Sequence, residues 1–267
     1  CRRDGTGETR RVVGAGWRVK VTSELQPNGS PVRGRDRLAN LIPNMMTLGA
    51  VCVGLTAVRF ALDARIDLAV IALVVAMVMD GLDGRLARAL NSTSRIGKEL
   101  DSLADFFNFG IAPGLILHLA LFNQSTRVDF TWVAIMLVAA CCAYRLARFN
   151  ASEESETAQT FEGVPAPVLA LLTLMPVYLY LLEFNFVSQS PALISMYLIG
   201  CGFLAVSQVP TLSLKSLKVS QNYGFLVVPI FTLLIASLLI YPWETLTMLS
   251  LTYLVALPFY ARKHRRT

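Results

Sequence analysis

Long stretches without a single charged residue determine what this chain can fold into. No Asp, Glu, Lys or Arg occurs between Arg37 and Arg59, between Glu162 and Glu183, or between Glu183 and Lys215. Such gaps reach the roughly 20 residues that a helix needs to cross a bilayer. Charged residues make up only 16% of the 267 residues, whereas a typical soluble domain carries about 25%. The sequence therefore predicts an all-α, polytopic integral membrane protein, and it argues against a soluble globule or a disordered chain.

The apolar pattern accommodates about eight transmembrane helices. Their predicted ranges are 39–60, 67–90, 97–121, 129–149, 165–182, 190–210, 222–241 and 243–261. With the N-terminus in the cytoplasm, 21 of the 24 Lys and Arg residues fall on the cytoplasmic side, so the positive-inside rule places both termini there. The least certain turn is 241–243 (Tyr-Pro-Trp), where a re-entrant hairpin is the alternative to two crossing helices.

The same pattern predicts a domain organisation. Residues 1–37 are expected to form a flexible basic cytosolic tail, and residues 262–267 a second basic tail. Between them lies a membrane domain, 38–261, with a core at 38–210 and additional helices at 222–261. The basic run at 262–266 directly follows a predicted span, so we interpret it as a membrane-surface contact and expect no nucleic-acid partner.

Four aspartates interrupt the apolar pattern at one face of the predicted membrane. Asp80 and Asp83 (i, i+3) end the second span, and Asp101 and Asp105 (i, i+4) begin the third, so each pair shares one helical face. An ionised carboxylate at hydrocarbon depth costs about 2.5–3.5 kcal/mol on insertion scales, so the four require a compensating partner. Two antiparallel neighbouring helices can direct all four carboxylates into one pocket, and carboxylates without His or Cys favour Mg²⁺ or Mn²⁺. The alternative is a set of Asp–Arg salt bridges without a metal.

Small and basic residues accompany these aspartates. Gly84, Ala87 and Gly97 each lie four positions from one of the acids, which leaves room for a bulky group against the backbone. Arg85 and Arg88 bring positive charge close to the acids, as a phosphate-containing ligand requires.

Together these residues form a motif: Asp80-x-x-Asp83-Gly84-x-x-Ala87-Arg88, eight residues, then Gly97-x-x-x-Asp101-x-x-x-Asp105. The motif resembles, without a mismatch, the signature of the CDP-alcohol phosphotransferase family. The resemblance implies a helical membrane enzyme that uses an acceptor hydroxyl to displace CMP from a CDP-linked lipid or alcohol. It also implies a pair of divalent cations, Mg²⁺ or Mn²⁺, on the four aspartates, with Asp105 also acting as the general base.

Further motifs resemble one bacterial and archaeal branch of that family, whose acceptor is serine. They are 41–47 (LIPNMMT), 101–113 (DSLADFFNFGIAP), 145–150 (RLARFN) and 161–167 (FEGVPAP), the last with Val164 where Leu is usual. The resemblance implies CDP-diacylglycerol and L-serine as substrates, a homodimer surrounded by membrane lipids, and an active site at the cytoplasmic face of a bacterial-type inner membrane. The residues it implies for the CDP-lipid are Asn44, Thr47, Gly84, Ala87, Arg88 and Gly97.

The acceptor site is the least determined part of the prediction. Arg145 and Arg148 lie three residues apart at the predicted cytoplasmic end of the fourth span, and we hypothesise that one binds the serine carboxylate in a bidentate contact. The alternative is that both arginines reach lipid headgroups. Asn108 and Asn150 are weaker candidates for the serine ammonium group.

Other acceptors and another class of protein stay open at this point. Choline, glycerol 3-phosphate and inositol phosphate are alternatives to serine within the same reaction class. A cation transporter is the alternative outside it, since intramembrane acids also mark ion paths. A transporter, however, would spread its acids across the depth of the bilayer, and here all four aspartates cluster at one face.

Overall fold

Helices form every regular element in the part of the chain that the computed structural model describes, which is residues 34–90, 95–122, 130–153, 163–184, 190–207 and 224–264. They are α1 (Gly34–Leu62), α2 (Ile66–Ala89), α3 (Arg95–Asp105), a π-helical segment (Phe106–Ile111), α4 (Ala112–Leu121), α5 (Phe130–Glu153), α6 (Ala166–Thr173), α7 (Met175–Leu181), α8 (Pro191–Val206), α9 (Gly224–Ile240) and α10 (Pro242–His264). The all-α prediction is confirmed for these residues.

The helices coincide with the predicted apolar ranges. Within the residues that the structure describes, three helical stretches are long and apolar enough to cross a membrane: Leu41–Leu62, Ile96–Leu121 and Phe130–Ala151. Shorter apolar helices cover Ala166–Leu181, Pro191–Val206 and Val228–Ile240. The number of eight spans and the orientation of the termini stay predictions.

The structure also refines the ends of the predicted membrane domain. Helix α1 begins at Gly34, so the last residues of the predicted tail 1–37 are helical, and α10 continues to His264, into the predicted tail 262–267. A helix does not have to end where its apolar surface ends, because its hydrogen bonds are made within the backbone. The rest of the two predicted tails, 1–33 and 265–267, lies outside the described residues.

Small residues set the distance between α1 and α2. Ala50 and Ala57 on α1, and Ala69 and Ala76 on α2, are fully buried. Side chains of this size allow two helix backbones to approach closely. The two helices pack along most of their length, and this pairing brings the first turns of α1 beside the last turns of α2, where Asp80 and Asp83 lie.

A proline divides the fifth apolar range into α6 and α7. Pro176 has no N–H, so the carbonyl of Leu172, four residues earlier, receives no backbone hydrogen bond from it. The hydroxyl of Tyr197 on α8 donates to that carbonyl at 2.8 Å. The break in the helix is thus satisfied by a neighbouring helix, which ties α8 to the α6–α7 pair.

The end of α8 is held by two segments from elsewhere in the chain. The N–H of Val164 donates to the Leu204 carbonyl at 3.4 Å, and Arg148 Nη1 on α5 donates to the Val206 carbonyl at 3.3 Å. Gly163 has a φ of +84°, and a Cβ added to it would lie 2.6 Å from the Ala205 carbonyl oxygen. Glycine is therefore required at 163 both by its backbone conformation and by the close approach of α8.

The predicted turn at 241–243 is present in the structure. Helix α9 ends at Ile240 and α10 begins at Pro242. The hydroxyl groups of Ser237 and Thr245 are 2.7 Å apart, whereas residues eight apart in a straight helix are separated by about 12 Å along the axis. The chain therefore bends sharply at this point, and α10 goes on to pack against α6 and α7.

Candidate active site

Three of the four predicted aspartates meet where the second half of α2 lies beside the second half of α3. One carboxylate oxygen from each of Asp80, Asp83 and Asp101 lies within 4.8 Å of the others. Asp83 is only 2% exposed. Oδ1 of Asp80 and Oδ1 of Asp83 are buried, and neither has a hydrogen-bond partner among the described residues. Buried carboxylate oxygens without a donor are unfavourable, and like charges this close repel one another.

This donor set fits a divalent cation of the hard, oxygen-preferring type. Mg²⁺ and Mn²⁺ bind carboxylate oxygens, and a cation among these three groups would both satisfy the buried oxygens and neutralise the repulsion. The prediction of interhelical Asp–Arg salt bridges as the alternative finds no support at Asp80 and Asp83, whose buried Oδ1 atoms have no donor in the part of the chain described.

Thr47 on α1 fixes the orientation of Asp83. Its hydroxyl donates to Asp83 Oδ2 at 2.7 Å and also lies 3.1 Å from the Pro43 carbonyl oxygen. Thr47 is 4% exposed, so this contact is shielded from water. Because Oδ2 is held by the hydroxyl, the carboxylate has a fixed orientation, and its buried Oδ1 has no hydrogen-bond partner among the described residues. The sequence had suggested Thr47 only as part of the CDP-lipid site, and its contact with Asp83 depends on the register between α1 and α2.

Asp105 lies one turn further along α3 and joins the cluster from the side. It interacts electrostatically with Asp101 and Asp80 and, from α5, with Arg145. Nε of Arg145 is buried and has no hydrogen-bond partner within the described ranges. The predicted general base thus interacts electrostatically with a cationic side chain that has a buried donor without a partner among the described residues.

The π-helical segment begins immediately after Asp105. Such segments are rare and occur frequently at functional sites. Its backbone hydrogen bonds reach five residues back, as in the bond from the Ala112 N–H to the Phe107 carbonyl. The segment buries Asn108 completely, and a Cβ added at Gly54 on α1 would overlap the Asn108 amide oxygen. Asn108 therefore faces α1.

The four residues predicted for the serine site have different partners in the structure, and their roles stay predictions. Arg145 interacts electrostatically with Asp105 and with Arg148. Arg148 donates to the end of α8, and Asn150 Nδ2 donates to Ser102 Oγ on α3 at 2.9 Å. Asn108 is packed against α1, and the electrostatic interaction of Arg145 with Asp105 is what connects Arg145 with the acid cluster.

Helix α2 carries three of the predicted CDP-lipid residues, Gly84, Ala87 and Arg88, and its surface is open at Gly84. Among the described residues, a Cβ added to Gly84 would have Arg88 Nη1 as its one neighbour within 4 Å, at 4.0 Å. Arg88 is exposed, and Asn44, Ala87 and Gly97 are partly buried. The helix surface next to the acids is therefore accessible to a bulky group, with a guanidinium at its edge.

The arrangement of apolar helices around a buried acidic cluster defines a polytopic helical membrane protein with a polar site at the end of two helices. Comparison with known sequences identifies the family of membrane proteins to which the chain belongs. A sequence profile of the CDP-alcohol phosphatidyltransferase family matches residues 40–206, from α1 to the end of α8. The chain belongs to this family and is a membrane-bound transferase, which confirms the resemblance inferred from the motif.

Individual relatives carry more specific names. A CDP-diacylglycerol–serine O-phosphatidyltransferase of Mycobacterium leprae is 34% identical over 233 residues, which cover 84% of this chain and 76% of the relative. An enzyme of the same name from Helicobacter pylori is 32% identical over 219 residues, or 80% of this chain and 88% of the relative. An archaetidylserine synthase of Methanothermobacter thermautotrophicus is 31% identical over 138 residues, which cover 49% of this chain and 54% of the relative.

Proposed function

We propose that this chain transfers the phosphatidyl group of CDP-diacylglycerol to the hydroxyl of L-serine, producing phosphatidylserine and CMP. The observation that carries the proposal is the acid cluster of Asp80, Asp83 and Asp101, with Asp105 and Arg145 at its side. The acid cluster suits a diphosphate held through cations, and the guanidinium suits an acceptor that carries a carboxylate. The names of the relatives from Mycobacterium leprae and Helicobacter pylori support serine as the acceptor.

In this mechanism Asp80, Asp83 and Asp101, with Asp105 beside them, hold a pair of divalent cations, Mg²⁺ or Mn²⁺. When bound, the cations neutralise negative charge on the attacking and leaving oxygens of the diphosphate. Thr47 keeps Asp83 turned towards the cluster. The open face at Gly84 admits the nucleotide, with Ala87 and Gly97 beside it and Arg88 at the edge of the site. Asn44 completes the set of residues that we assign to the CDP-lipid.

Asp105 takes the proton from the serine hydroxyl. The serine oxygen then bonds to the lipid-side phosphorus as the bond from that phosphorus to the bridging oxygen of CMP breaks. Arg145 binds the serine carboxylate and so directs the hydroxyl towards Asp105, with which Arg145 interacts electrostatically. Arg148 and Asn150 support this site through α8 and α3, and Asn108 supports it through α1, since these are the elements that they contact.

Release of CMP measures the reaction directly. The purified protein in detergent is supplied with CDP-diacylglycerol, Mn²⁺ and one acceptor at a time: serine, glycerol 3-phosphate, inositol phosphate or choline. We expect CMP only with serine. Release of CMP with another acceptor would make that acceptor the substrate in place of serine. If no acceptor leads to release of CMP, the reaction class is refuted.

An Asp105→Asn variant tests the role of the general base. It should lose turnover while it still binds the nucleotide, because the amide keeps the shape of the side chain and cannot accept the proton. Asp67→Asn is the matched control, since Asp67 is exposed and lies in the first turn of α2, at the opposite end from the cluster. Turnover by Asp105→Asn at the rate of Asp67→Asn would remove Asp105 from the mechanism.

We further propose a bacterial-type inner membrane as the location, with both termini and the acid cluster at the cytoplasmic face, and a homodimer as the assembly. The distribution of Lys and Arg supports the orientation, and the family resemblance supports the dimer. Reporter fusions at each terminus test the orientation, and the mass of the protein in detergent tests the assembly. A monomeric mass would contradict the dimer alone.

A further inference from the structure

A hydrogen bond between two helices holds α3 beside the candidate active site. Asn150, near the end of α5, donates from Nδ2 to the hydroxyl oxygen of Ser102 on α3 at 2.9 Å. The same hydroxyl donates to the Lys98 carbonyl oxygen at 3.1 Å. A serine hydroxyl can donate one hydrogen bond and accept others, so these two contacts together fix the direction of the Ser102 side chain.

Ser102 directly follows Asp101, and the two side chains reach different neighbours. A carboxylate oxygen of Asp101 lies with those of Asp80 and Asp83 on α2, whereas Ser102 contacts α5. Successive side chains on a helix point about 100° apart. A rotation of α3 that carried Asp101 away from the acid cluster would therefore also break the bond between Ser102 and Asn150.

Such a tie matters because other forces act to move α3. Ile96 and Leu103 on this helix are 77% and 67% exposed, and in a membrane these side chains meet fluid lipid, which does not fix their position. Hydrogen bonds between helices contribute to helix association in lipid, where apolar surfaces alone do not drive it. Before a cation binds, the like charges of the aspartates push α3 away from α2. The bond from Asn150 limits that displacement, because it connects α3 to a third helix.

We propose that Asn150 is a positioning residue for the divalent-cation site: its bond to Ser102 fixes the rotation of α3 and so keeps the Asp101 carboxylate in the acid cluster. The inference rests on the cation site of the proposed function. It gives Asn150 a task other than the contact with the serine ammonium group that the sequence suggested. Arg148 ties the same end of α5 to the end of α8, so the part of α5 that carries Asn150 is itself held in place.

Removing either partner of the bond should weaken cation binding. Ser102→Ala deletes the acceptor, and Asn150→Ala deletes the donor. We expect each variant to bind Mn²⁺ about 2- to 10-fold more weakly than the unchanged protein, the change in an equilibrium constant that corresponds to one neutral hydrogen bond. The electron paramagnetic resonance signal of free Mn²⁺ measures this affinity without turnover. The double variant should lose no more affinity than either single variant, because both substitutions remove the same bond.

A bond of the same kind at the other end of α5 provides the matched control. The hydroxyl groups of Thr131 on α5 and Ser195 on α8 are buried and lie 3.0 Å apart. Thr131 is separated from Asn150 by about 28 Å along the axis of α5. Ser195→Ala should therefore lower the thermal midpoint, as Ser102→Ala does, but it should leave the affinity for Mn²⁺ unchanged.

The outcomes for the two proposals are distinguishable. If Ser102→Ala and Asn150→Ala bind Mn²⁺ as tightly as Ser195→Ala, the bond stabilises the fold only and the positioning role is refuted. A rise in the KM for serine in Asn150→Ala that is absent in Ser102→Ala would assign Asn150 to the acceptor and would also overturn the inference. Either result leaves the proposed function standing if the unchanged protein releases CMP with serine.

Failure of the proposed function has its own signature. If the unchanged protein releases no CMP with any acceptor but the two variants bind Mn²⁺ more weakly, the proposed reaction falls and the positioning role of Asn150 stands. If the unchanged protein binds no Mn²⁺, the cation site and the positioning role fall together.

Discussion

Removing the hydroxyl of Thr47 should weaken the binding of the divalent cation. Valine has nearly the shape of threonine, so Thr47→Val leaves the packing between α1 and α2 in place and deletes only the donor. The hydroxyl lies 2.7 Å from Asp83 Oδ2, and the two residues are 4% and 2% exposed. Water cannot readily replace the lost hydrogen bond, and Asp83 becomes free to turn away from Asp80 and Asp101.

The size of the effect follows from this geometry. A hydrogen bond to a charged group contributes about 1.5–3 kcal/mol, and every ~1.4 kcal/mol is a tenfold change in an equilibrium constant. Residues that orient a metal ligand from behind typically change metal affinity by about 10- to 100-fold when they are replaced. Both arguments predict that Thr47→Val binds Mn²⁺ about 10- to 100-fold more weakly than the unchanged protein.

Two measurements check this prediction. The loss of the electron paramagnetic resonance signal of free Mn²⁺ gives the affinity without any turnover, and the Mn²⁺ concentration that gives half-maximal CMP release gives it during turnover. Thr56→Val is the control, since the Thr56 hydroxyl lies on the exposed side of α1 and donates only within that helix, to Cys52, at 2.8 Å. If Thr47→Val and Thr56→Val bind Mn²⁺ equally well, the hydroxyl does not orient Asp83 and the reasoning fails.

Three further predictions concern stability and the metal. Gly163→Ala should lower the free energy of unfolding by about 1–3 kcal/mol because of the strained backbone, and should therefore lower the thermal midpoint. Gly200→Ala is the control: an added Cβ has nothing within 4 Å, so the midpoint should stay unchanged or rise. Equal midpoints for the two variants would contradict the contact of Gly163 with α8. Ser102→Ala should lower the free energy of unfolding by about 0.5–1.5 kcal/mol, because it removes the acceptor of the hydrogen bond from Asn150, and it should leave the KM for serine unchanged. A large rise in the KM for serine would indicate that Asn150 takes part in binding the acceptor. Chelation of divalent cations should abolish CMP release and lower the thermal midpoint, and Mn²⁺ should restore both in the unchanged protein but raise the midpoint much less in Asp83→Asn, as followed by thermal unfolding in detergent.

The sequence predicted those parts of the fold that depend on spacing within one helix. Apolar length located the helices, and the spacing of Asp80 with Asp83 and of Asp101 with Asp105 placed each pair on a common face. The meeting of the two pairs followed from the antiparallel connection between neighbouring helices. These inferences need only the geometry of a regular helix and a short loop.

Contacts between distant helices could not be read in this way. The bond from Thr47 to Asp83 depends on the register between α1 and α2, and the bond from Tyr197 to the Leu172 carbonyl depends on how α8 packs against α6. The predicted roles of Arg148 and Asn150 illustrate the same limit. Arg148 was predicted from its spacing of three residues from Arg145 at the end of one span, and Asn150 as a candidate for the serine ammonium group, but on a helix the direction of each side chain changes by about 100° per residue. Which neighbouring helix each one contacts is decided by packing.

The π-helical segment joins α3 and α4 into one continuous helical stretch and changes the direction in which their side chains face. Before it, α3 carries Asp101 and Asp105 of the acid cluster; after it, Ile116 and Leu117 on α4 are fully buried in the apolar interior. Removing one residue from 106–111 would rotate α4 relative to α3 by about 100° about the helix axis. Either the carboxylates or the apolar side chains would then no longer face their present neighbours. A substitution in this stretch alters single contacts, whereas a change in its length would rotate all side chains on one side of it relative to those on the other. The length of the segment is therefore more constrained than the identity of its amino acids.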